Sequence, residues 1–170
     1  MKKLIAVLMV ALLALSAVAF AEPYRSGDIA FEYDKKAFEI SLDDNLDDET
    51  TVVIYGKNEA WGKTYVSFYL KDMKDGEKFP TADEIGKENN TAVTEGDWNG
   101  YKNVLMYTLE GDEGMTRSYF IVPVMDDDDH EIDDMLEVQI GVSKIDDDAT
   151  AMERDDAISA IVDSLKLVDD

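Results

Sequence analysis

The chemistry this chain can offer is concentrated in VPVMDDDDHEIDDMLEV, residues 122–138. There four consecutive aspartates, the only histidine (His130) and three further acids separate two apolar runs. Carboxylates at this density suit hard, oxygen-preferring cations, which makes Asp126, Asp128, Asp129 and Glu131 the candidate calcium ligands. An EF-hand loop counted from Asp126 has acids at its first, third and twelfth positions. It fails at Glu131, where the sharp turn needs Gly, and at Asp133, where an apolar residue packs. The stretch DDNLDDETTVVI from Asp43 lacks both that Gly and the terminal Glu. What remains is weak calcium binding by converging acidic loops, set against plain solvated turns. Adjacent exposed carboxylates repel by only about 1 kcal/mol in water, so such runs persist without a metal. If the strands alternate strictly, the turns at 43–49, 111–114 and 146–148 share one end of the sheet and residues 126–134 sit at the other, unless a helical crossover breaks the parity. No cofactor is expected beyond weak calcium.

Other chemistries lack their parts. A zinc site needs more imidazole or thiolate than one His and no Cys. Ser-His-Asp or Cys-His catalysis needs an imidazole poised beside a nucleophile, and the acids around His130 favour its protonated form, the wrong direction for a general base. A carboxylate-pair hydrolase has acids to spare but needs a deep cleft with sugar-stacking aromatics, for which short loops provide little material. Trp61 and Trp98, the only tryptophans, fall in expected turns beside Gly. Each either caps an end of the core or forms a patch for a ligand or partner.

The elements that must position these residues read as strands joined by tight turns. In DIAFEYDKKAFEISL, Ile29, Phe31 and Tyr33 and then Phe38, Ile40 and Leu42 alternate with polar residues, the pattern of a hairpin with one apolar face. TVVIYG is apolar on both parities, which asks for cover on both faces of the sheet. GKTYVSFYLKDM places Val66, Phe68 and Leu70 on one face and Tyr65 and Tyr69 on the other. Thr81 with Glu84 three residues on forms a capping box for a short helix over 82–88. TAVTE and YKNVLMYTLE flank an Asn-Gly turn suited to positive φ. MTRSYFIVPVM and MLEVQIGVS flank the acidic stretch as strands. At the C-terminus Ile158, Ile161, Val162 and Leu165 recur at helical spacing, with Asp155 and Asp156 near the start and Lys166 near the end complementing the dipole. The expectation is about eight strands in one antiparallel sheet flanked by helices, an α+β fold.

The N-terminus, MKKLIAVLMVALLALSAVAFAEPYRS, has two lysines, an apolar run and a small-x-small site ending at Ala21, the pattern of a secretory signal over residues 1–21. The turn-forming EPYRSGD that follows favours cleavage over anchoring, and no cysteine is present to carry a lipid. Residues 22–170 then form a single exported domain, secreted or in the cell envelope, and periplasmic in a Gram-negative source. The chain's net charge is −23, and loss of Lys2 and Lys3 makes it two units more negative. Such a charge opposes nucleic acid and anionic membranes. No insertion into a membrane is expected after cleavage.

DIAFEYDKKAFEISL, the YFIVP strand with its polar turn and LEVQIGV, and the closing AISAIVDSLKLV together resemble the PsbP-like family, the photosystem II extrinsic proteins and their bacterial relatives. The resemblance spans Tyr24 to Val168 and departs in lacking the Pro and Trp often found near the family's second strand. It implies an α/β/α sandwich and a binding or assembly role without a shared catalytic motif, so no site residue is carried over. The functional expectation is a non-enzymatic binding or assembly module with a protein or small-molecule partner. A calcium-dependent module is second and a carboxylate hydrolase third.

Overall fold

The computed structural model describes residues 21–46, 48–74, 76–111, 114–125 and 131–168. Ten strands form among them: β1 (Ala21–Ser26), β2 (Ile29–Asp34), β3 (Phe38–Leu46), β4 (Glu49–Gly56), β5 (Thr64–Asp72), β6 (Thr94–Trp98), β7 (Tyr101–Glu110), β8 (Met115–Met125), β9 (Ile132–Ser143) and β10 (Lys166–Leu167). Two α-helices accompany them, α1 (Ala82–Asn89) and α2 (Asp148–Asp163). The antiparallel architecture expected from the alternation is present, but as two sheets. One has three strands in the order β1-β2-β10, the other seven in the order β3-β4-β5-β9-β8-β7-β6.

The split falls at the expected hairpin. β2 and β3 do not pair with each other; β2 takes β1 and β10 as neighbours, and β3 takes β4. EPYRSGD is also strand rather than turn up to Ser26, and Pro23 is tolerated because β1 is an edge strand. The chain reverses at Gly27, whose φ of 50° suits glycine. A register shift between Ile40 and Leu42 then turns Leu42 outward, where it is 47% exposed. The same bulge carries Asp43 to the core side, where it accepts hydrogen bonds from Tyr24 and Ser26 and ties β1 to β3.

The main core lies between the small sheet with α2 and one face of the large sheet. Ile29, Phe31 and Tyr33 of β2 meet Phe38, Val52, Ile54, Val66, Phe68, Leu136 and Val138, and α2 adds Ile158, Ile161 and Val162. The helix is capped by Asp147, which accepts from the Thr150 amide at 2.8 Å. It ends at Asp163, two residues before Leu165, so Lys166 belongs to β10 and not to the helix as its period suggested. Leu165 is nonetheless buried with the others. Arg154 crosses from the helix to donate to the Ser143 carbonyl at 2.7 Å.

α1 follows its capping box, with Thr81 and Glu84 bonded reciprocally, and closes at Asn90 in the left-handed region. Its Ile85 packs on Leu105 and Ile121 on the second face of the large sheet, beside Phe79, Val93 and Met135. This crossover carries the chain from β5 to the far edge at β6, and β7, β8 and β9 then fold inward until β9 lies against β5. The parity of the turns changes as a result. Asp72 pairs with Asp134, the Asp72 amide donates to Asp48 and the Met73 amide to Asp133. The β3–β4 turn and the ends of β8 and β9 therefore share one end of the sheet, and the segment near Gly114 shares the other with residues after Ser143, where the Lys144 amide donates to Gly114. The strict alternation that would put residues 43–49 and the start of β9 at opposite ends of the sheet does not hold.

Candidate binding face

Asp126, Asp128, Asp129 and His130 lie outside the described residues. Glu131 is exposed immediately before β9. Among the described residues no group of three or more His, Cys, Asp or Glu side chains is placed to hold a metal ion. The two tryptophans separate. Trp61, in a 3-10 turn held by Asn58, is 2% exposed and packs on Phe38 with ring centroids 5.5 Å apart. Trp98 is half-buried and stacks on Phe120 at 4.2 Å. Trp61 has no free face to offer a partner.

A different set of residues is gathered on the second face of the large sheet, in the part that α1 leaves open. The alternation that sends Val52, Ile54, Val66, Phe68, Leu136 and Val138 into the core sends Val53, Tyr55, Tyr65, Ser67, Tyr69, Glu137, Gln139 and Gly141 the other way. β8 and β7 extend the same face with Arg117, Tyr119 and Tyr107, since Tyr119 pairs with both Gln139 and Tyr107. Tyr55 is 43% exposed and the others on this face are mostly half-buried. The cover that the apolar pattern of β4 demanded is therefore supplied on this side by tyrosine rings.

Those rings are held by contacts with one another and with polar neighbours. The Gln139 amide donates to the Tyr119 hydroxyl at 2.8 Å, and the Tyr119 ring stacks on Tyr107 with centroids 4.6 Å apart. Tyr55 and Tyr65 meet across β4 and β5 at 5.8 Å. The Tyr69 hydroxyl lies beside the Glu49 carboxylate. Tyr65 lies flat across Gly141, with its hydroxyl beside the Arg117 guanidinium. Burial holds the phenols in their neutral, donating form. It pushes Tyr69 up to about 12, with Glu49 helping, and Tyr107 up to about 12, with the Glu137 charge helping. Burial also raises the Tyr65 hydroxyl, against the opposing pull of Arg117. The Glu137 carboxyl is raised by burial alone. Its ionised form is disfavoured by folding, so Glu137 supports the folded state at lower pH and opposes it as pH rises through its shifted value.

Gly141 is the residue that makes this arrangement fit. A Cβ there would stand 2.1 Å from the Tyr65 ring. Gly141→Ala is expected to lower stability by roughly 1–3 kcal/mol through this overpacking. In urea unfolding, the loss should be smaller than additive when combined with Tyr65→Ala, because the second change removes the clash. Additive losses would show that the ring does not rest on Gly141.

The sequence carried a partial signal for this face. The tyrosines at 65 and 69 stand at strand spacing opposite the core residues, but nothing in their spacing distinguishes a surface awaiting a helix from one that stays open. No family model, curated protein or solved structure matches the chain. No helix among the described residues is long and apolar enough to cross a membrane.

Proposed function

We infer that this chain is an exported, non-enzymatic binding or assembly module that engages its partner through the tyrosine face of the large sheet. The observation that supports this reading is the set Tyr55, Tyr65, Tyr69 and Tyr119 ordered around Gln139 and Ser67 on one partly exposed sheet surface, with Tyr107 at its border against the Ile85 cluster. Tyrosine offers a large, rigid contact area with a polar tip and only two side-chain torsions to fix, which is why it is enriched where proteins bind partners. The rings here are already braced by stacking and hydrogen bonds, so little side-chain entropy remains to be lost on binding.

The test is affinity capture from the envelope and culture-fluid fractions of the source, comparing the unaltered chain with Tyr55→Ala/Tyr119→Ala and with Lys102→Ala, away from this face. A species held by the unaltered chain and by Lys102→Ala should be reduced at least about tenfold by the tyrosine pair, the scale of an interface hot spot. Equal retention by all three chains would remove the face from the binding surface.

A further inference from the structure

Arg117 differs from the other two arginines of the chain. Arg25 faces Asp28 at 3.9 Å and Arg154 faces Asp155 at 2.8 Å. Among the described residues Arg117 makes no ion pair; its guanidinium lies beside the Tyr65 hydroxyl, and its Nε is shielded from solvent with no acceptor. An unsatisfied buried donor is costly, the more so when it is charged. In a chain of net charge −23, a cation with no carboxylate paired to it among the described residues calls for an explanation. Gly141 lies directly opposite on β9, beneath the Tyr65 ring, and the backbone at Gly111 passes beside the guanidinium. Along the face, Tyr119 follows Arg117 two residues on along β8, and Gln139 opposite it donates to the Tyr119 hydroxyl.

We propose that Arg117 is the anion anchor of the tyrosine face, and that the ligand is an organic monocarboxylate whose carboxylate takes the unpartnered Nε–H of the guanidinium while its polar or ring-bearing body lies against Tyr119 and Gln139. This rests on the tyrosine face being the binding surface. The planar guanidinium matches a carboxylate by geometry. The charge of the chain selects a monoanion over a dianionic phosphate, because the repulsion from the acidic surface grows with ligand charge.

The probes are sodium D-glucuronate and sodium benzoate as carboxylates, D-glucose as a neutral control and inorganic phosphate as the dianion. They are titrated into isotope-labelled chain, from Glu22 onward, at fixed pH and ionic strength. The Arg117 Nε–Hε signal and the Tyr119 ring signals should shift saturably with at least one carboxylate, while glucose leaves them in place and phosphate binds more weakly. Arg117→Gln should weaken that binding by roughly tenfold or more, the scale of a hydrogen bond to a charged group. The shift of the Arg117 signal in the unaltered chain carries the test even if this variant does not fold. Glucose moving the face as much as the carboxylates do, phosphate binding more tightly, or carboxylates leaving Arg117 unmoved would each overturn the proposal. If carboxylates leave Arg117 unmoved but captured material still depends on Tyr55 and Tyr119, the anchor is wrong and the binding face stands. If both experiments are silent at this face, both fall.

Discussion

Phe68→Ala is expected to lower the free energy of unfolding by about 4 kcal/mol, in the range for truncating a buried phenylalanine. Phe68 is fully buried at the centre of β5, between Val52 on β4 and Val138 on β9. Both neighbouring strands are hydrogen-bonded to β5 along its length, so the backbone cannot close on the space left behind, and the cavity penalty adds to the lost transfer energy. The ring also bridges the two sheets, with its centroid 5.1 Å from that of Phe31 on β2. Phe31→Ala should therefore couple with it, and the double variant should be less damaged than the sum by about 1 kcal/mol. In a domain of this size the single loss corresponds to a fall of about 12 °C in melting midpoint. Tyr55→Ala, in the same sheet but 43% exposed, should cost far less. Urea unfolding of the four chains checks this. A loss at Phe68 below about 2 kcal/mol would show that the small sheet does not seal this face.

The features that the sequence made legible are those set within a few residues. Thr81 and Glu84 specify the start of α1 because both hydrogen bonds of the capping box close inside one helical turn. Asn99 and Gly100 both adopt positive φ between β6 and β7, as an Asn-Gly hairpin requires. Alternation assigned the core side of β2, β5 and β9 correctly, since period alone decides which face a side chain takes. It does not decide which strand becomes the neighbour. Phe31 and Phe38 alternate in the same way whether β2 and β3 pair or part into two sheets. The bulge that turns Leu42 outward adds one residue and leaves no compositional mark. The end of α2 departs from its period for a related reason. Leu165 satisfies the helical spacing, but the Ser164 hydroxyl bonds to both the Ile161 and Glu32 carbonyls, and the chain leaves the helix there to reach β2. The tyrosine face is not legible in the sequence because its members lie on four strands, β4, β5, β7 and β8, with Gln139 from β9. Only the crossover through α1, which sets β9 against β5, brings them together. The same crossover moves the β3–β4 turn to the end of the sheet where β8 stops and β9 starts, an outcome that depends on topology and not on residue type.

A chain ended after Asp163 should lose about 5 kcal/mol, summing the burial of one leucine and several net hydrogen bonds. The deletion takes Leu165, which is 5% exposed beside Ile161 and Val162. It takes β10, whose Lys166 and Leu167 pair with Ala30 and Ile29, and the Val168 amide that donates to Asp28 at 2.9 Å. It also takes Ser164, whose hydroxyl receives the Glu32 amide at 2.8 Å. One edge of β2 is thereby stripped, leaving β1 as its only paired neighbour, and a two-stranded hairpin is marginal in water by itself. β2 supplies Ile29, Phe31 and Tyr33 to the main core, so its loosening exposes Phe68 and the strands on either side. Against a total stability of roughly 5–15 kcal/mol, the shortened chain should be largely unfolded or should melt well below the full one. Leu165→Ala separates the contributions, since it leaves β10 in place and should cost only about 2–3 kcal/mol, at the lower end for a buried leucine. Hydrogen exchange at the amides of Ile29 to Tyr33 gives the decisive reading. Their protection should fall in the shortened chain by more than in Leu165→Ala, with the amides of β5 and β9 following as the core opens. A shortened chain that melts within about 3 °C of the full one, a stability change of roughly 1 kcal/mol, would mean that β2 is held by the large sheet and α2 alone, and that β10 is an ornament of the fold rather than one of its supports.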